Sequence, residues 1–415
     1  MKIYIETIPC GWINNLLDEI AERGSGHTPD KDIPEYWNGD IRWISLKDSN
    51  KLDRIYISDT EDKVSQKGIQ HSSAVLHPAG VVVLSRDAGV GKSAITTREM
   101  AVSQHFVVWK CGQKLNNHYL YYWLQLMKPE FERIAVGSTI KTIGLPYFKK
   151  FRVVYPILMR EQLEIVEIFT NWDHAIDLTT QLIEAKQQRK RGLMQQLLTG
   201  KKRFKHFINS KETQDTEIGP IPSDWLYTTI SAIAHSVSER NVAGCDLPVL
   251  SCTKYQGLVD SMTYFGRKIF SDDTSTYKIV RRHQFAYATN HIEEGSIGYQ
   301  DLYDEALISP MYTVFETKSN VEDRFIYALF KTEIYRQIFE RSTSASVDRR
   351  GSLRWSEFSR IKVPLPSLPE QKCIAQVLDT CDQELALLNR KLALLKKQKQ
   401  GLMQQLLTGK VRVKL

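Results

Sequence analysis

Near the end of the chain the apolar positions fall into a seven-residue rhythm. Ile374, Leu378, Cys381, Leu385, Leu388, Leu392 and Leu395 step by 4-3-4-3-4-3. That spacing predicts a helix with a narrow apolar seam of the coiled-coil kind. The same register occurs earlier at Ile165, Phe169, Trp172, Ile176, Thr179 and Ile183, with only Thr179 polar. After a polar stretch the seam resumes at Leu193 and Leu197, matched by Leu402 and Leu406. Ser367 followed by Glu370 fits a capping box at the start of the later helix, where the earlier one has Leu158. Gly200 and Gly409 suit the left-handed position beyond a helix end. At 1.5 Å per residue each helix runs roughly 55–60 Å. A stripe of that length exceeds what one domain can bury, so the pattern predicts that the two helices pack on each other as a coiled coil. A helix that only covered its own domain would show a broader apolar face.

The two helices are copies. Gly192–Lys201 (GLMQQLLTGK) recurs unchanged at Gly401–Lys410, an offset of 209, and 16 of 41 positions are identical between Glu161–Lys201 and Glu370–Lys410. A fixed offset of this kind marks internal duplication. Before each helix lie roughly 150 residues in which short apolar runs alternate with polar turns. Val81–Leu84, Phe106–Trp109, Val153–Tyr155, Tyr312–Phe315 and Ile361–Val363 read as strands, and Tyr119–Met127 and Phe325–Phe339 as helical. The expected architecture is therefore α/β (α+β): two mixed domains at 1–157 and 217–366, long helices at 158–201 and 367–415, and a polar linker at 202–216. The helices would pair antiparallel with pseudo-two-fold symmetry.

Weak landmarks recur in the domains. Ile8-Pro9-x-x-Trp12 echoes Ile221-Pro222-x-x-Trp225, Trp43-Ile44-Ser45 echoes Val249-Leu250-Ser251, and Gly137-Ser138 echoes Gly351-Ser352. Their offsets wander between 206 and 214, so the domains have accumulated insertions and deletions, while the helices keep one offset and identical ends. This contrast implies one shared task for the helices and two different tasks for the domains.

At 42% hydrophobic the chain can build sizeable cores, and no run approaches the length of a membrane span. Six isolated cysteines, with no C-x-x-C pair, argue against a disulfide framework or zinc site and for a reducing cytoplasm. Charge matters through its placement. Residues 186–205 and 390–415 each hold eight Lys or Arg and no acid, together +16 against a chain total of +8. Matched basic helix ends suggest contact with phosphates or with an acidic partner surface.

Motifs for catalysis are weak. Gly89-Val90-Gly91-Lys92-Ser93 resembles the end of a phosphate-binding loop, but the first glycine of that pattern is replaced by Arg86. Glu316-Thr317-Lys318 and Glu184-Ala185-Lys186 match the E-x-K piece of metal-dependent nucleases, a triplet expected by chance in a charged chain. No amino-methyltransferase motif is present, so the chain reads as non-catalytic, with no cofactor or metal of its own.

Paired near-identical helices behind two drifted domains resemble the specificity subunit of Type I restriction-modification enzymes. The marks are the GLMQQLLTGK ends, Glu161-Gln162 and Glu370-Gln371 at the helix starts, and the domain opening at Ile218–Trp225. Gly137-Ser138-Thr139 and Pro364-Leu365-Pro366 resemble the family's junctions, whereas Tyr155-Pro156-Ile157 is less proline-rich than the family favours. The resemblance implies that each domain recognises one half of a bipartite, asymmetric site on double-stranded DNA, with the helices as spacer. Two methyltransferase subunits, using S-adenosylmethionine on adenines, and ATP- and Mg2+-dependent nuclease/translocase subunits would supply the chemistry. Candidate DNA contacts are Ser45, Lys47, Arg86, Lys92 and Lys141 in the first domain. In the second they are Thr253, Lys254, Asn290, Arg349, Arg350 and Arg354. The competing reading is a coiled-coil scaffold without sequence-specific DNA binding.

Overall fold

The computed structural model describes residues 8–343 and 352–415. The long helices span Met159–Leu197 and Leu368–Leu406. Contacts divide the chain into two compact units: residues up to 180 with 390–415, and residues 181–389. The cuts fall after Thr180 and Asn389, which are 209 positions apart. Each unit thus comprises one domain, the first half of the helix that follows it and the second half of the other helix. This differs from a linear succession of domain, helix, linker, domain and helix.

In the first unit a five-stranded sheet runs in the order Ala21–Ser25, Phe106–Cys111, Val82–Ser85, Ser93–Thr96, Tyr56–Ile57. A four-stranded sheet runs Asp62–Val64, Trp37–Ile44, Met100–Val102, Leu76–His77, with its central pair parallel. The second unit repeats this plan. One sheet runs Ala234–Val237, Tyr312–Thr317, Phe285–Ala288, Ile297–Tyr299, and the other Gly257–Asp260, Val249–Thr253, Glu305–Ile308, Lys278–Arg281, again with a parallel centre. The helix Asn117–Ile134 starts where the Asn116 side chain accepts from His118 and Tyr119 N–H groups. Its counterpart is not the single helix expected over Phe325–Phe339. It breaks into Asp323–Phe330 and Glu333–Ser342, because the Thr332 side chain caps a new start by accepting from Tyr335 N–H.

The seam has two kinds of surroundings. Ile165 and Phe169 are fully buried in the first unit's core with Trp109, Tyr119 and Phe148, and Met403, Leu406 and Leu407 of the other helix pack into the same cluster. Ile374 and Leu378 enter the second unit's core with Phe285 and Phe358, beside Leu197 and Leu198. The early seam residues therefore cover their own domain as well as the other helix. Further along, Trp172, Ile176, Leu385, Leu388 and Leu392 are half-buried, and Ile183 is buried. Fully burying one such side chain contributes about 1.5–3 kcal/mol.

A polar latch closes each unit; its glutamate and arginine repeat at the offset of 209 and its tryptophan at 213. Glu161, 1% exposed, accepts from Trp12 Nε1 at 3.2 Å and from Arg412 Nη2 at 2.8 Å. Glu370, also 1% exposed, accepts from Trp225 Nε1 at 3.2 Å and from Arg203 Nε and Nη2, each at 2.8 Å. The carboxylate of Glu370 is thus directed at Arg203 and Trp225 rather than at the capping box expected with Ser367. Buried Gln162 donates to the Lys114 and Pro156 carbonyls, and Gln371 to that of Pro366. Further pairs repeat in kind: Asp173 with Lys399 in the first unit, Asp382 with Lys190 in the second. Because Glu161 meets Arg412 while Asp173 meets Lys399, the helical segments of the first unit run antiparallel; Glu370–Arg203 and Asp382–Lys190 give the same sense in the second.

The helix ends explain why a glycine is kept near the close of the repeated ten residues. Gly200 and Gly409 have φ of +72° and +70°, and a Cβ on either would lie 2.4 Å from Pro222 or Pro9. Only glycine meets both demands. The Ile-Pro-x-x-Trp landmarks are therefore the receptors of the two helix ends. Residues 202–216, expected as a mere linker, carry the Arg203 latch and a strand, Thr213–Gln214, paired with Ile221–Pro222.

Candidate nucleic-acid interface

The two units share one loop framework. In the first, the strand Val82–Ser85 leads into a loop whose Arg86 N–H donates to the His105 carbonyl, while Ile143 N–H donates to the Arg86 carbonyl. In the second, the strand Phe285–Ala288 leads into a loop whose Thr289 Oγ1 donates to the Met311 carbonyl, while Leu353 N–H donates to the Thr289 carbonyl. The turns they hold are alike. Phe106 N–H donates to Ser103 O at 3.1 Å, and Tyr312 N–H to Ser309 O at 3.0 Å. The loop after a central strand, the turn that leads from one sheet to the other and the segment before the last strand thus converge twice.

In the first unit the turn Ser103–His105 borders a basin of about 580 Å³. Thr28, Lys31, Trp37, Lys47, Gln104 and His105 are among its walls. Lys47 is exposed and pairs with Asp62 at 2.9 Å. His105 Nδ1 lies 2.7 Å from Asp87 Oδ2, which leaves its other ring nitrogen unengaged by that contact.

The candidates separate by what already holds them. Ser45 is buried and caps the turn Leu46–Asn50 by accepting from Lys47 N–H, so its role is structural. Arg86 donates to the Gln104 and Ile143 carbonyls and clasps the two loops. Lys92 donates to Ser49 O and Oγ. Thr253 donates to the Gly257 carbonyl and accepts from Gln256 N–H, fixing a hairpin turn. Lys47, Lys141, Lys254 and Arg354 are exposed, and Lys254 lies 5.4 Å above the Tyr255 ring. Asn290 is half-buried beside Thr289 in the second unit's loop. Arg349, Arg350 and Gly351 lie outside the described residues. Gln104, His105 and Met311 were not among the candidates; the signal that pointed to them, two turns opening on a serine 206 positions apart, is too short to stand out in the sequence.

The glycine-rich segment does not fit a nucleotide. It joins two antiparallel strands, Val82–Ser85 and Ser93–Thr96, so no helix N-terminus follows it to face a phosphate. The E-x-K triplets are likewise engaged internally. Glu316 accepts from Gln284 and pairs with His235, Lys318 donates to the Ala232 carbonyl, and Lys186 pairs with Glu384. The basic helix ends are partly engaged as well: Lys186, Lys190 and Arg203 in one, Lys399 and Arg412 in the other, face acids of their own unit. Among the described residues no helix is long and apolar enough to cross a membrane.

Comparison with known proteins fits this geometry. Residues 9–187 and 246–397 match the family model of the Type I restriction modification DNA specificity domain. The chain belongs to that family. It is 26% identical over 358 residues to the Type I restriction enzyme MjaVIII specificity subunit of Methanocaldococcus jannaschii, covering 83% of this chain and 82% of that one. The MjaIX specificity subunit of the same organism is 31% identical over 177 residues, 42% of this chain and 40% of the relative. The crystal structure of a Type I restriction-modification S subunit from M. genitalium shares the fold, with a TM-score of 0.54 at 14% identity, covering 98% of both chains.

Proposed function

We propose that each unit recognises one half of a bipartite, asymmetric site on double-stranded DNA, and that the paired helices fix the gap between the halves. The observation that carries this reading is the contrast between matched latches and unlike loops. One framework, built twice, presents Gln104-His105 in one unit and Pro310-Met311 in the other. Identical helix ends suit two copies of one partner, here two methyltransferase subunits. Different loops suit two different DNA words. In this reading the chain performs no catalysis. S-adenosylmethionine-dependent adenine methylation belongs to the methyltransferase subunits, and ATP- and Mg2+-dependent translocation and cleavage to nuclease subunits that join them. The test is the map of methylated adenines in cells with and without the gene. A two-word motif that disappears on deletion is the expected result; an unchanged map would favour a scaffold without sequence-specific DNA binding.

A further inference from the structure

Resting on that reading, we propose that the turns Ser103–His105 and Ser309–Met311 are the elements that read bases, one in each half-site. The argument begins with equivalence. Both turns close with the same backbone hydrogen bond, both are clasped by the residue that follows the adjacent central strand, and both link a strand of one sheet to a strand of the other. The fold therefore asks the same of both. Yet Gln104 is replaced by Pro310 and His105 by Met311, and Gln104, Pro310 and Met311 are exposed. Met311 is 61% exposed, so its side chain is open to a ligand. Side chains that differ where the backbone does not are free to encode different sequences.

Their surroundings fit DNA. Lys31 and Lys47 share the basin with Gln104 and His105. Beside the second turn, Lys278 Nζ donates to the Tyr312 carbonyl at 2.5 Å. The chemistry then assigns the bases. A glutamine amide matches the N6/N7 edge of adenine, and an apolar side chain matches the thymine methyl group. Gln104 reads an adenine in the first half-site, oriented by its contact with Thr28. Met311 covers a thymine methyl in the second.

The test uses the full chain assembled with its methyltransferase subunit and DNA carrying the two-word motif that the wild-type complex methylates. Replacing adenines of the first word by 7-deazaadenine at one position at a time removes the N7 acceptor alone and should weaken wild-type binding at one position by about 2- to 12-fold. Gln104→Ala should be indifferent at that position and unchanged in the second word. Replacing thymine by deoxyuridine in the second word should weaken the wild type about 4-fold at one position, as expected for one buried methyl group, and Met311→Ala should be indifferent there. Both side chains are exposed, so melting temperatures should not change. The inference is overturned if the variants keep the wild-type sensitivity, lose affinity equally for all sequences, or lose methyltransferase assembly instead. A wild-type complex with no two-word motif would instead overturn the reading on which it rests.

Discussion

Removing the latch arginines should destabilise the two units unequally, although the sequence offset makes them the same pair. Arg203 is 6% exposed at its side chain and Glu370 is 1% exposed. Arg203 also donates to Asp224 at 2.7 Å and to the Phe207 carbonyl at 2.7 Å, and lies 5.6 Å over the Trp225 ring. Arg203→Ala would leave the Glu370 carboxylate buried with the Trp225 N–H as its remaining donor of the three. Breaking a buried pair on one side costs about 3–5 kcal/mol. Arg412 is 41% exposed, so water reaches Glu161 once the guanidinium is gone. Solvent screening lowers the cost there to about 1–2 kcal/mol. Chemical denaturation followed by hydrogen exchange, resolved for residues 197–207 and 159–165, separates the two units. Exchange should accelerate far more around residue 203 in Arg203→Ala than around residue 161 in Arg412→Ala. Adding Glu370→Gln to Arg203→Ala should recover part of the loss, because a buried amide costs less than a buried charge. Equal destabilisation by the two alanines, or no recovery in the double variant, would refute the assignment of the cost to desolvation.

Matched four-residue insertions after Thr180 and Asn389 lengthen each helix by about 6 Å and turn it by about 40°. At about 3.4 Å per base pair, the methylated motif should keep both words and gain one or two base pairs of gap, read by sequencing of modified bases. Burial pushes the thiols of Cys111 and Cys252 up to about 12, so in the native protein at pH 8 iodoacetamide should label exposed Cys10 and Cys245 while sparing those two, as peptide mass spectrometry would show. Burial holds His77 below its ordinary range. The unfolded chain therefore binds a proton that the folded one resists, and stability contributed by neutral His77 should fall as pH drops below about 6.5, by at most about 1.4 kcal/mol per pH unit. His77→Gln should flatten that slope in urea titrations between pH 7 and 5; an unchanged slope would contradict it.

Much of the framework is legible in the sequence because its signals are local and periodic. The heptad seam, the glycines past each helix end and the Ile-Pro-x-x-Trp motifs all appear without the structure. Their partnership does not. That Gly409 seats on Pro9, or that Arg412 closes on Glu161, depends on the second half of each helix joining the unit of the other domain, a contact across some 250 to 400 residues. The basic helix ends look free in sequence, yet several of their cations face acids of the same unit. The break at Lys331-Thr332 rests on one capping side chain that helix periodicity does not reveal. Base-reading turns are the least legible: Gln104 and Met311 gain meaning only when parallel strand pairing in each unit shows that their turns are equivalent.

The central claim is that two units on one framework recognise two different DNA words. The most direct measurement is selection from a randomised duplex library by the full chain assembled with its methyltransferase subunit, followed by sequencing of the retained DNA. The account predicts two unlike words at a fixed separation, neither of them the inverted repeat of the other. Enrichment of a single word, of a palindrome, or of no sequence at all would contradict it.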